Sequence, residues 1–124
     1  GVESSRVAMI LAVLERRAGL PVSQADVYVS TVGGIKVYEP ATDLAIALAI
    51  ASAAKDIPLS QEMAAIGEIS LAGEIRAVTQ APQRASEAAR LGFSSVLDHS
   101  TASIHEAITR AFSGSPKKQK QPAF

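Results

Sequence analysis

Asp98, His99 and Ser100 stand in immediate succession and supply the three residue types of a hydrolytic triad. Adjacent side chains diverge, whereas a working triad converges from separate elements, so the run reads as a strand end followed by a helix cap. His99 and His105 have no third ligand at a sensible spacing, which argues against a metal centre. A phosphate-cradling loop of the form G-x-x-x-x-G-K-S/T is absent, and Gly33-Gly34 leads into an extended piece instead of a helix, so it reads as a bend. The stretch from Gly34 to Ala45, "GIKVYEPATDLA", is more instructive. There an extended run passes through Pro40 onto a helix N-terminus, a place where enzymes often mount a nucleophile. The residue at the head of that helix is Ala41, whose methyl group has no chemistry.

The elements that must position these residues are those of one small domain. A chain of 124 residues can bury a single core without covalent staples. Hydrophobic residues make up 48% and aromatics 4%, so the core is expected to consist mainly of Ala, Val, Ile and Leu. The absence of cysteine excludes disulfides and thiolate zinc sites, and fits a cytoplasmic protein. The chain opens at Gly1 without the basic, apolar and small-residue pattern of a secretory signal, and a piece of a longer protein is expected. No apolar run approaches the ~20 residues of a membrane helix.

Lys117, Lys118 and Lys120 crowd the last stretch, and of the 12 basic residues they leave 9 against 12 acidic ones in positions 1 to 112, a net of −3. A strongly basic nucleic-acid binder does not look like that, so any DNA contact must come from a local patch. The expected organisation is a folded domain over 1–112 and a disordered basic tail over 113–124.

Helical spacing of Val7, Ile10, Leu11, Leu14 and Ala18 predicts a helix over 4–17, ended at Gly19-Leu20-Pro21. Asp26 to Val32 alternates and predicts a strand. Ala41 to Ala54, apolar on nearly every face, predicts a helix buried on most sides, with Asp43 at its positive end. Met63 to Val78 reads as a hairpin around Ala72-Gly73. A third helix is expected from Gln80 to Leu91, with Gly92 as a left-handed cap. A short strand at 94–98 and a last helix capped by Ser100 or Thr101 complete the chain. The order predicts an α+β domain, a two-layer α/β sandwich on one mixed sheet.

Pro40 with its helix, the segment Gly67-Glu68-Ile69-Ser70-Leu71-Ala72-Gly73-Glu74-Ile75 and the helix after it resemble the proteolytic domain of the Lon family. In that family a strand leads into a Gly-Pro-Ser-Ala-Gly turn opening a buried helix, and a later helix carries a lysine. Serine and lysine form the catalytic dyad. The resemblance covers roughly Ser4 to Ala111 and implies the fold of the second domain of ribosomal protein S5. It puts Ala41 at the nucleophile, Thr42 and Asp43 at the Ala-Gly places, and Arg84 at or next to the lysine. Ala41 has no hydroxyl, and Arg84 stays protonated and cannot serve as the base. Thr42 is one helical step on, about 100° away, and Lys36 and Lys55 are not on the expected helix.

The runs "SRVAMILAVLERRAGL", "DVYVSTVGGIKVYEPATDLAIALAIASA", "IGEISLAGEIRAV" and "QRASEAARLGF" are very similar to the carboxy-terminal domain of the bacterial RadA (Sms) family. That likeness implies a parent with a zinc finger and a RecA-like ATPase, so zinc, ATP and magnesium belong to parts outside this chain. It further implies a hexameric ring acting in recombinational DNA repair, contact with double- or single-stranded DNA during branch migration, and the recombinase RecA as a further partner. Lys36, Arg76 and Arg84, on the loop, hairpin and helix around the vacated dyad, are the candidate phosphate contacts. The competing readings are an active Ser-Lys peptidase, opposed by Ala41 and Arg84, and an oligomerisation module without a nucleic-acid role.

Overall fold

The computed structural model describes residues 4–22, 26–30 and 39–113. Helix α1 (Ser4–Ala18) buries Ile10, Val13 and Leu14 along one stripe. It stops where Gly19 turns left-handed and the Leu20 N–H folds back onto the Leu14 carbonyl at 3.2 Å. A single 3-10 turn over Pro40–Thr42 feeds α2 (Asp43–Lys55). Pro40 presets the entry dihedral and has no N–H to leave unsatisfied. Helix α2 buries Asp43, Leu44, Ile46, Ala47, Leu48, Ile50 and Ala51, as its uniformly apolar sequence predicts. It packs against α1 on one side and against strands on another.

Strand β1 (Met63–Ala65) precedes β2 (Glu68–Ile69) and β3 (Ile75–Arg76), then come α3 (Ala81–Arg90), β4 (Ser95–Leu97) and α4 (Ile104–Ser113). The fold is α+β with both parallel and antiparallel strand pairs. The hairpin is shorter than its sequence suggests. Within it β2 and β3 pair antiparallel, Glu68 opposite Arg76 and Ile69 opposite Ile75. β1 instead runs parallel to β4, Ala64 opposite Val96. The physical reason lies at Gly67, where the backbone leaves the ladder and exchanges hydrogen bonds with the start of α2.

Two further expectations are corrected. Asp26 to Ser30 joins no ladder among the described residues, although its alternation is real: Val27 and Val29 pack against the core while Tyr28 is 94% exposed. Residues 31–38, which hold the rest of that run, Gly33-Gly34 and Lys36, lie outside the described residues, as does the tail from 114. The last helix is capped by Ser103, not Ser100 or Thr101. The Ser103 hydroxyl accepts the Glu106 N–H at 3.1 Å, and the Glu106 carboxylate reaches back to the Ala102 N–H at 3.3 Å. Ser100 instead donates its N–H to the Asp98 side chain at 2.9 Å in the turn before.

Ile10, Leu14, Leu44, Leu48 and Ile104 are the large apolar side chains sealed completely, and they join α1, α2 and α4 into one core. Full burial of such a side chain stabilises by about 1.5–3 kcal/mol relative to exposure. Gly73 lets the hairpin meet this core. A Cβ there would stand 2.9 Å from Arg17 and 3.3 Å from Ile104, and its φ of +82° is unfavourable for any other residue.

Candidate functional site

The head of α2 is held by backbone. Gly67 donates its N–H to the Ala41 carbonyl at 2.9 Å and accepts the Leu44 N–H at 3.0 Å. This two-way pairing requires Gly67 to lie against the helix, and a Cβ there would stand 2.8 Å from Ile75. Ala41 is therefore buried, at 7% exposure, where its methyl forms part of a cleft of about 280 Å³. Glu39, Pro40, Glu68, Thr79 and Arg84 line the same cleft.

Arg84 enters it from the first turn of α3. Its Nε donates to the Thr79 carbonyl at 3.0 Å, while Nη1 and Nη2 donate to the two Glu39 carboxylate oxygens at 3.1 and 3.0 Å. This fork-on-carboxylate geometry is the strong form of the pair. Hydrogen bonding to Arg84, helped by its charge, holds the Glu39 carboxyl below its ordinary range, and Glu39 in turn raises the guanidinium. The two positions that the Lon resemblance marks for the dyad thus share one cleft, and the side chains there are a methyl and a guanidinium. Thr42 directs its hydroxyl into the Glu39 carbonyl at 2.7 Å.

Arg76 is placed apart from them. It is exposed on β3, close to Glu74 at 3.5 Å, in a neighbouring cleft with Met9, Ile69 and Leu71. Glu68 lines both clefts. Of the three candidate cations, two are thus described, each beside a carboxylate, and Lys36 lies outside the described residues. At the Asp98-His99-Ser100 turn, burial pushes the Asp98 carboxyl up, but hydrogen bonds from Ser100 and the His99 charge bring it below its usual value on balance. Among the described residues no group of three His, Cys, Asp or Glu side chains is arranged to hold a metal ion, and no helix is long and apolar enough to cross a membrane.

One polar feature was missed by pattern reading. Asp43, fully buried at the first turn of α2, accepts two hydrogen bonds from Arg6 of α1, the Nη2–Oδ2 one at 2.8 Å, and a third from the Ile69 N–H at 3.1 Å. A helical wheel puts Arg6 on the polar face, and only the pairing 37 residues away shows that it turns inward. The Ser103 cap, by contrast, carried a readable signal in its Ser-x-x-Glu spacing.

Comparison with known proteins adds the lineage. The chain is 48% identical over 114 residues to DNA repair protein RadA of Mycolicibacterium smegmatis, covering 92% of this chain and 23% of the relative. It is 52% identical over 96 residues to DNA repair protein RadA of Streptococcus pyogenes, covering 77% and 21%. It is 50% identical over 93 residues to the Salmonella typhimurium protein of that name, covering 75% and 20%. The chain therefore spans about a fifth to a quarter of the length of these curated relatives. Residues 3–99 also match the family model described as subunit ChlI of Mg-chelatase. With most of its length so matched, and with homologues near half identity named as DNA repair proteins, the chain belongs to the ChlI family.

Proposed function

We propose that this chain is a non-catalytic, Lon-like domain of a RadA-type recombinational repair ATPase, serving hexameric ring scaffolding and DNA contact during branch migration. The observation that carries this reading is the cleft at the head of α2. A peptidase of the Lon kind needs an oxygen to attack and a base to take its proton. The cleft offers the Ala41 methyl and an Arg84 guanidinium already engaged by Glu39 and Thr79. A group held protonated this firmly cannot act as general base. What remains useful is the shape and the surface.

The relatives' name supports a role around DNA, and ring symmetry supplies a physical route to it. Copies of one surface around an opening add their fields, so a near-neutral subunit can still present a positive lumen. Arg76 and Arg84 are the described candidates for phosphate contact, and Lys36 is the third. ATP, magnesium and zinc belong, on this proposal, to the remaining length of the parent.

An electrophoretic mobility shift with duplex DNA at low salt tests it. The intact chain is expected to shift the duplex, and Arg76→Ala and Arg84→Ala to weaken binding and each to reduce the salt slope by about one. No shift by the intact chain or by Glu39→Gln would leave a pure oligomerisation module, which light scattering with and without duplex would then register. Turnover of a fluorogenic peptide would overturn the non-catalytic part.

A further inference from the structure

We infer that Glu39 is an intramolecular stand-in for phosphate at Arg84, a carboxylate that DNA must displace before Arg84 can contact it. The inference rests on the proposed DNA contact and concerns how that contact is regulated. Arg84 is fixed from behind, with Nε on the Thr79 backbone carbonyl and its side chain 29% exposed. Its two terminal nitrogens point forward in parallel onto both oxygens of one carboxylate. Phosphate presents a pair of oxygens to the same fork, so Arg84 needs no rearrangement to accept it.

The partner is the movable half. Glu39 is 61% exposed, precedes the 3-10 turn in an extended conformation, and makes no side-chain cap to the helix behind it. Exchange therefore moves the glutamate out and leaves the arginine in place. Glu68 on the same cleft adds a second negative charge that an incoming phosphate must oppose. The contact has the form of self-inhibition: the occupied fork lowers the fraction of molecules competent for phosphate, and apparent affinity falls by that fraction.

Glu39→Gln keeps the side chain's size and weakens its hold on the fork. Measured by fluorescence anisotropy with a short labelled duplex at fixed low salt, this variant is expected to bind about two- to fivefold tighter than the unaltered chain, the range an exposed ion pair can shift. Simple removal of a negative charge would also tighten binding, so the deciding measurement is Glu39→Gln in an Arg84→Ala background. There the gain must shrink to the general effect of the lost charge. A gain of equal size without Arg84, or no gain with it, overturns the inference while leaving the DNA contact standing. Binding by Glu39→Gln where the unaltered chain shows none supports the inference. Binding by neither form removes the DNA reading and this inference with it.

Discussion

Removing Arg6 tests the packing of the head of α2 most severely. Asp43 is fully buried, and two of its three hydrogen bonds come from Arg6. Arg6→Ala leaves a carboxylate out of contact with solvent and satisfied only by the Ile69 N–H. Breaking a buried pair from one side costs about 3–5 kcal/mol. The Arg6 side chain keeps 22% exposure, so water can enter where its guanidinium stood, and the expected loss is discounted to about 2–4 kcal/mol. For a domain of this size that corresponds to a fall of about 10 °C in Tm, or of about 1–2 M in the urea midpoint. Urea unfolding followed by circular dichroism measures it. A double-mutant cycle with Asp43→Asn isolates the pair from whatever else Arg6 touches, and a coupling of about 1–3 kcal/mol is expected. A loss under about 1 kcal/mol for Arg6→Ala, or no coupling, would refute the assignment of this pair as the tie between α1 and α2.

The remaining predictions concern the cleft and its supports. Gly67→Ala forces a methyl to within 2.8 Å of Ile75 and should lower stability by about 1–3 kcal/mol in the same urea assay. Ser103→Ala removes the cap of α4 and should cost about 1 kcal/mol, with Ser100→Ala nearer neutral. Because Arg84 lowers the Glu39 pKa, the Glu39–Arg84 pair stabilises above the ordinary carboxylate range and is lost as pH falls through the depressed value. A carbon-detected titration of Glu39 should therefore show a midpoint below its ordinary value that rises in Arg84→Ala. Ala41→Ser supplies an oxygen but no base, so it should show no turnover of a fluorogenic peptide; measurable hydrolysis would mean that another group accepts the proton.

How far the fold could be read in advance differs by element. Helices α1 and α2 announce themselves because burial of a stripe, or of nearly a whole surface, leaves a periodic record, and Ile10, Leu14, Leu44 and Leu48 are where the pattern puts them. Strand partners leave no such record. Met63 to Ala65 has the composition of a hairpin arm, yet it pairs with Ser95 to Leu97 across the whole of β2, β3 and α3, since pairing is chosen by tertiary placement. Asp26 to Ser30 shows the same limit, with its alternation kept and no ladder formed among the described residues. At the site, Ala41 and Arg84 were legible as departures from a motif, and they do line one cleft. That Glu39 would occupy Arg84 was not, because 45 residues separate them and neither side chain is unusual where it stands.

The two ion pairs at the head of α2 differ in environment, and that difference separates a core contact from a surface one. Arg6–Asp43 is sealed against solvent on the carboxylate side, and its loss leaves a buried acceptor without a donor, so it is bound to behave as part of the core. Glu39–Arg84 is open to water, where such pairs contribute little to stability, and its members are free to exchange partners. A cleft without a role could be filled with apolar side chains and gain packing. This one instead keeps an arginine braced by a backbone carbonyl and paired with an exposed carboxylate, an arrangement that adds little to the core and suits an anion arriving from outside.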